Sequence, residues 1–260
     1  MSNYHLLDHP KVLQFAFYPS NELSACPEYA TDFFVAVEEG IRVACRFYIA
    51  NPAFPTIMFF HGNGEVASDY DDIAQYFLSH SKVNFIVAEF RGYGASDGNP
   101  TFAGLIADSH KIFRDVSGEL SRIGCSGNVW IMGRSMGSIP ALELAKCYPD
   151  EIRGLIIESG FPSATRLARL LQFSLPEEDF KLIEDECLQK MHDITIPALI
   201  IHGDCDNLVT IDAAYTLEKE LGSSEKRLFI VRGADHNSVI ACDTVGYFQT
   251  IKEFIYKKPK

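Results

Sequence analysis

The sequence predicts an α/β fold, a mostly parallel eight-stranded sheet with helices on both faces. Short, continuous apolar runs such as Thr56 to Phe60 (TIMFF) recur along the chain, and runs of this kind suit strands buried on both faces. Apolar-periodic stretches of helical length alternate with them about five times, which implies parallel strands joined by helices. Ahead of them stand two β-rich segments, Thr31 to Val37 and Ile41 to Ile49, separated by Glu38-Glu39-Gly40. That punctuation is a hairpin signal with Gly40 in the turn, so the sheet should start antiparallel.

At 260 residues, 47% apolar and 22% charged, the chain has ample material for a core. It reads as a single domain over residues 1–260. A net charge of −12 argues against nucleic acid as a partner, since nucleic-acid footprints are basic. Seven cysteines stand singly with no C-x-x-C pair, the pattern of reduced thiols in a cytoplasmic protein. The N-terminus has acidic and polar residues where an export signal needs an apolar core. No run reaches the roughly 18 apolar residues of a membrane span. The oligomeric state is not legible at this level.

Residues 1–31, with Pro10, Pro19 and Pro27 spaced through them, read as an irregular lead-in. Strand Thr56 to Phe60 runs into His61-Gly62-Asn63-Gly64, followed by a helix from about Val66 to Ser79. Strand Val83 to Phe90 runs into the glycine-rich Arg91-Gly92-Tyr93-Gly94-Ala95-Ser96, then a helix within Pro100 to Leu120. A strand from Asn128 leads to Gly133-Arg134-Ser135-Met136-Gly137 and another helix. Ile152 to Glu158 is a further strand. Ser163 to Asp193 is helical, charged and interrupted at Pro176. It is longer than a plain connection, so residues 161–195 read as a small helical cap insertion. The alternative is an extra packed helix pair. Strand Pro197 to Ile201 enters His202-Gly203-Asp204-Cys205-Asp206, and a helix from Ile211 to Leu221 ends at Gly222. The last strand, Lys226 to Val231, reaches Gly233-Ala234-Asp235-His236-Asn237 before a final helix, Asp243 to Tyr256.

Every suspicious cluster falls at the carboxyl end of a strand, where ligand sites of such sheets lie. Gly133 to Gly137 fits G-x-S-x-G between a strand and a helix. In that context it makes a tight turn that presents the serine hydroxyl at the sheet's end. A serine hydroxyl is a poor nucleophile and needs a base, usually histidine, oriented by a carboxylate. His236, after the last strand, is the candidate base. Asp206, after the preceding strand, is the candidate acid, with Asp204 and Glu158 as alternatives. His5, His9, His80, His110 and His192 read as surface residues, and His61 and His202 as shapers of their turns. An oxyanion hole needs two backbone N–H groups. Met136 follows the nucleophile and supplies one. Asn63 supplies the other, with Gly64 as alternative. This chemistry calls for no cofactor and no metal.

FFHGNG (59–64), FRGYGASDG (90–98), GRSMGS (133–138), Glu158-Ser159, IIHGDCDNLV (200–209) and GADHN (233–237) together resemble the α/β-hydrolase superfamily. The similarity runs from about Thr56 to Phe254. It is greatest to the serine aminopeptidase-like branch that includes the α/β-hydrolase-domain esterases and depalmitoylating thioesterases. The resemblance implies an α/β-hydrolase fold. It also implies that the acid of the HG-x-x-D pattern is Asp206. The depalmitoylases carry a lipidated, cysteine-rich N-terminus. Only Cys26 stands in that region here, so membrane anchoring does not carry over. Serine at the elbow, where epoxide hydrolases and dehalogenases have aspartate, argues against their chemistry. The expectation is a serine hydrolase acting on a small-molecule or acyl ester or thioester. An amide or peptide hydrolase and a non-catalytic binding protein on the same fold are the alternatives.

Overall fold

The computed structural model describes residues 3–21, 24–165 and 175–257. Eight strands form one sheet: β1 (Thr31–Glu38), β2 (Ile41–Tyr48), β3 (Thr56–Phe60), β4 (Asn84–Ala88), β5 (Val129–Arg134), β6 (Ile152–Glu158), β7 (Ala198–Gly203) and β8 (Lys226–Val231). Their spatial order is β1-β2-β4-β3-β5-β6-β7-β8. β2 is antiparallel to both β1 and β4, and every other pairing is parallel. Gly40 turns the β1–β2 hairpin at φ +74°, a left-handed conformation that costs glycine nothing.

Among the described residues eight α-helices accompany the sheet: α1 (Pro10–Ala16), α2 (Asp71–Tyr76), α3 (Phe102–Arg122), α4 (Ser138–Cys147), α5 (Glu177–Asp193), α6 (Asp212–Glu220), α7 (Val239–Cys242) and α8 (Thr244–Tyr256). Alternation along the strands divides the core. Met58, Phe60, Ile131, Ile157 and Ile200 face one layer with residues of α1, α3, α4, α5 and α6. Ile57, Phe59, Trp130, Met132, Ile156 and Ile201 face the other with α2 and α8. Strand side chains point alternately to the two faces, so TIMFF is apolar at every position after Thr56 because both faces are covered.

The helix starts have local causes. The Thr101 hydroxyl accepts the Gly104 N–H at 2.8 Å and starts α3, while Asp243 accepts the Gly246 N–H at 2.9 Å and starts α8. Each satisfies a donor that the first helical turn leaves open.

Several expectations need correction. The single helix expected over Val66 to Ser79 is three pieces: a 3₁₀ turn (Ala67–Tyr70), α2, and a wider π-type turn (Phe77–Ser81). Gly222 stands just past the end of α6 as expected, but not in a left-handed turn. The helix ends at Leu221 in extended backbone, and a Cβ on Gly222 would overlap the His192 carbonyl. The irregular lead-in contains a 3₁₀ turn (Asn3–Leu7) and α1, with Tyr4, Leu7, Val12 and Ala16 buried. Proline at the first turn of α1 initiates a helix rather than breaking one.

Leu167, Leu170, Leu171 and Phe173, read as cap residues, lie outside the described residues. In α5, Phe180, Ile183, Cys187 and Met191 are buried, whereas Leu182 and Leu188 are exposed. The buried set recurs at helical spacing and packs α5 on α4, α6 and the Asn3–Leu7 turn. Among the described residues no helix is long and apolar enough to cross a membrane.

Candidate active site

β5 ends at Arg134 and α4 begins at Ser138, so Ser135 to Gly137 must reverse direction within one 3₁₀ turn. Ser135 takes φ +50°, a conformation that strains any residue with a Cβ. The turn is tight enough that a Cβ on Gly133 would overlap the Gly137 carbonyl. One on Gly137 would overlap the Phe60 carbonyl of β3. Both partners are backbone and cannot step aside. Gly137→Ala is therefore expected to cost about 3 kcal/mol or more, the upper end of overpacking. Urea denaturation measures it, and a cost under about 1 kcal/mol would contradict the packing.

The geometry brings Ser135, His236 and Asp206 together. The His236 ring lies with Nε2 3.0 Å from Ser135 Oγ and Nδ1 2.7 Å from Asp206 Oδ2. All three are nearly buried. Asp206 Oδ1 accepts the N–H groups of Leu208 (2.9 Å) and Val209 (2.7 Å). A carboxylate can only accept, so the imidazole proton sits on Nδ1 and Nε2 keeps the lone pair facing the serine hydroxyl.

The alternative acids lie elsewhere. Asp204 is exposed, and its Oδ1 accepts the Gly233 N–H at 2.6 Å. Glu158 accepts the Tyr247 hydroxyl at 2.5 Å and pairs with Arg134 at 3.3 Å. Burial alone would raise the Asp206 pKa. The bonds from the His236 ring and the Val209 and Leu208 amides outweigh it and hold the carboxyl below its ordinary value. A depressed folded pKa gives stability that is present above the unfolded value of about 4 and lost as pH falls through the folded one. The stability gap between wild type and Asp206→Asn should thus be constant near neutrality and close below about pH 4. A gap in urea midpoints that widens on acidification would overturn it.

His61 and His202 shape their turns as expected. His61 Nε2 meets Glu89 Oε2 at 2.9 Å and Nδ1 meets the Gly62 carbonyl at 2.7 Å. His202 Nε2 meets the Val209 carbonyl at 2.6 Å. Glycine at 94, φ +54°, is explained by Glu89, which a Cβ there would overlap. His110 is not a surface residue. It is half-buried between the Tyr148 hydroxyl (2.9 Å) and Glu143 (3.3 Å).

Two features were invisible to sequence reasoning. The Asn63 side chain is engaged at both ends of its amide, by Ala16, Tyr18 and Tyr93. Arg134, the variable position before the serine, sends its guanidinium into a nearly buried site. There it pairs with Glu65 and Glu158 and donates to the His236 carbonyl (2.9 Å) and Asn237 Oδ1 (2.8 Å). Glu65 in turn accepts the Gly62 N–H (2.6 Å) and the Tyr70 hydroxyl (2.5 Å). One side chain thus ties the elbow to the loops of His236 and Asn63. The only available signal was a charged residue ending an otherwise apolar strand.

Among the described residues one cluster has metal-ligand character, His110, Glu143 and Cys147 on α3 and α4. The buried Lys190 ammonium already stands 2.6 Å from Glu143.

The family model described as "Serine aminopeptidase, S33" matches residues 51–177 and 177–240. The chain belongs to this family of α/β hydrolases. The human alpha/beta hydrolase domain-containing protein 17B is 30% identical over 229 residues, covering 86% of this chain and 74% of that protein. The 17C protein of Mus musculus is 26% identical and covers 86% and 67%. Among solved structures, the Pyrococcus furiosus esterase Pf2001 superposes with a TM-score of 0.72 at 20% identity, covering 91% of this chain and 97% of that one. Est1E from Butyrivibrio proteoclasticus gives 0.65 at 18% identity, covering 86% and 96%. At these identities the structures establish the α/β-hydrolase fold, and the family membership rests on the sequence matches.

Proposed function

We propose that this hydrolase is a serine esterase or thioesterase that works through an acyl-enzyme, with Ser135 as nucleophile, His236 as base and Asp206 as its orienting acid. The observation that carries the reading is the unbroken chain of hydrogen bonds from Asp206 through His236 to Ser135 Oγ, at 2.7 and 3.0 Å. His236 Nε2 takes the hydroxyl proton as Ser135 Oγ attacks the acyl carbonyl. Asp206 stabilises the imidazolium without accepting its proton. The backbone N–H groups of Met136 and Asn63 receive the oxyanion. His236 then protonates the departing alcohol or thiol. Water, activated by the same ring, attacks the acyl-serine and releases the acid. No cofactor or metal takes part in these steps.

The segment 161–195 is proposed as a small helical cap insertion. That an esterase, Pf2001 of Pyrococcus furiosus, shares the fold supports ester-type substrates. Seven free thiols support a cytoplasmic setting.

The test is hydrolysis of short- to long-chain p-nitrophenyl esters and acyl thioesters by wild type and Ser135→Ala, with fluorophosphonate labelling of both. Wild type is expected to hydrolyse at least one series and to label at Ser135. Equal activity of the two proteins would sink the proposal.

A second reading, amide or peptide cleavage, is favoured by the description of the matching family as a serine aminopeptidase. The same triad serves that reaction. A panel of aminoacyl amides separates the two, and cleavage no faster than by Ser135→Ala discards it.

A further inference from the structure

We propose that the N-terminal arm, Asn3 to Ser20, is a working part of the site, acting through the Asn63 side chain as a positioning residue. The inference rests on the proposed role of the Asn63 backbone N–H as an oxyanion donor.

The arm is fixed at three places. At its start, the Asn3 N–H donates to Glu186 Oε2 of α5 at 2.7 Å. Beside it the buried Tyr4 ring receives the Lys190 ammonium 4.6 Å from its centroid. In the middle, the Asp8 carboxylate accepts the N–H groups of Phe102 (2.6 Å) and Ala103 (3.2 Å). Those are open donors at the start of α3, where a negative charge is favoured. At its end the arm crosses the loop after β3. The Asn63 Nδ2 donates to the Ala16 carbonyl at 2.7 Å, and Oδ1 accepts the Tyr18 N–H at 2.9 Å and the Tyr93 hydroxyl at 2.6 Å. The Ser20 carbonyl then accepts the Gly94 N–H at 2.8 Å.

These contacts matter because of what flanks Asn63. Gly62 and Gly64 stand on either side, and Gly64 is at φ +81°. A Gly-Asn-Gly backbone has more conformational freedom than one in which the asparagine is flanked by residues with a Cβ. An oxyanion donor is effective only when its N–H is already aimed, within about 0.5 Å and 10–20°. Something other than the local backbone must hold the 62–64 peptides. On one side Glu65 does so through the Gly62 N–H. On the other, the arm and Tyr93 grip the Asn63 amide at both ends. Tyr93 is fully buried and packs on the His61 ring, 5.6 Å between centroids, so the grip is itself anchored. The asparagine side chain, which touches no substrate in this scheme, therefore sets where its own backbone N–H points.

Three variants test this. Asn63→Ala keeps the backbone donor and removes the clasp. Tyr18→Pro removes the arm's N–H; the preceding residue, Phe17, is already extended at φ −115°, ψ 134°, as a residue before proline must be. Tyr93→Phe deletes a single hydroxyl and keeps the fold's packing. Each is assayed with p-nitrophenyl acetate, normalised to active sites titrated by a fluorophosphonate. One complete oxyanion donor is worth on the order of 10²- to 10³-fold in kcat. The expected losses are therefore part of that: about 10- to 100-fold in kcat for Asn63→Ala and Tyr18→Pro, and about 3- to 10-fold for Tyr93→Phe. KM should stay within about twofold, and the pH profile of kcat/KM should keep its shape, because His236 and Asp206 lie on other loops. A kcat per titrated site equal to wild type in Asn63→Ala and Tyr93→Phe would overturn the inference alone. A wild type that neither hydrolyses ester nor labels would overturn the site reading and this inference with it.

Discussion

Ser135→Ala is expected to lose ester hydrolysis by on the order of 10⁴- to 10⁶-fold in kcat, with the fold retained. The size follows from the proposed role of Ser135 as nucleophile. Without the hydroxyl no acyl-enzyme forms, and the remaining rate over water comes from the oxyanion donors and substrate binding alone. His236→Ala should lose nearly as much, and the double variant little more, because the groups act as a unit. Stability provides an independent check on the same residue. Ser135 is held at φ +50°, and a side chain in that conformation costs about 1–3 kcal/mol. Ser135→Gly should therefore be inactive and yet more stable, by about 1 kcal/mol in urea denaturation, since glycine adopts the conformation without strain. Ester turnover by Ser135→Ala above about one per cent of wild type would remove the serine from the mechanism. A Ser135→Gly protein less stable than wild type would show that the strain is absent.

Arg134→Met is expected to destabilise the protein by about 3–5 kcal/mol, the usual cost of removing one partner from a buried ionic group. Arg134 is 8% exposed, and its guanidinium faces both Glu65 and Glu158. Burial alone would lower its pKa, but Glu65, Tyr70 and Glu158 raise it, so it stays charged. Removing it leaves two carboxylates without their counter-charge. It also frees the His236 carbonyl and Asn237, which it holds at 2.9 and 2.8 Å. Activity should fall along with stability, because the loops of the proposed base and the proposed oxyanion donor lose their common tie.

The pH dependence of this defect has a definite sign. Burial already holds Glu158 above its ordinary pKa, with Arg134 pulling the other way. Without the arginine that carboxyl should rise further. A folded state with a raised carboxyl pKa binds more protons than the unfolded one, so stability grows as pH falls. The deficit of Arg134→Met should thus be larger at pH 8 than at pH 6. Glu158→Gln, which keeps an acceptor for Tyr247 and no charge, should cost less than Arg134→Met. Urea midpoints across that pH range test both statements. A deficit under about 1 kcal/mol at pH 8 would mean the network contributes little.

All eight strands, the antiparallel start and the placement of the clusters at strand ends were legible because each depends on short-range pattern. TIMFF and IRGLIIE are apolar at nearly every position because strands covered on both faces leave no polar side. The elbow was legible because glycine at 133 and 137 is dictated by overlap with nearby backbone. The order of Ser135, Asp206 and His236 was readable for the same reason, since each follows a recognisable strand.

The rest depended on contacts between residues far apart in the chain. Asp204 and Asp206 are chemically alike and two residues apart. Only the path of the loop after β7 directs one toward His236 and the other toward the Gly233 amide. The division of the helix near Val66, and the partial burial of His110 against Glu143 and Tyr148, likewise follow from what packs against them. Asn63 is bonded to residues 45 and 47 positions earlier and 30 positions later. Arg134 donates to residues more than 100 positions away. No local periodicity reports such partners, because a side-chain hydrogen bond across the fold leaves no mark on neighbouring residues. Sequence alone therefore determined the sheet, the strained turn and the residue types that gather at its end. Tertiary structure decided how the loop after β7 turns Asp206 to the histidine and Asp204 to the Gly233 amide, and that an arm read as a lead-in grips the loop beside the serine.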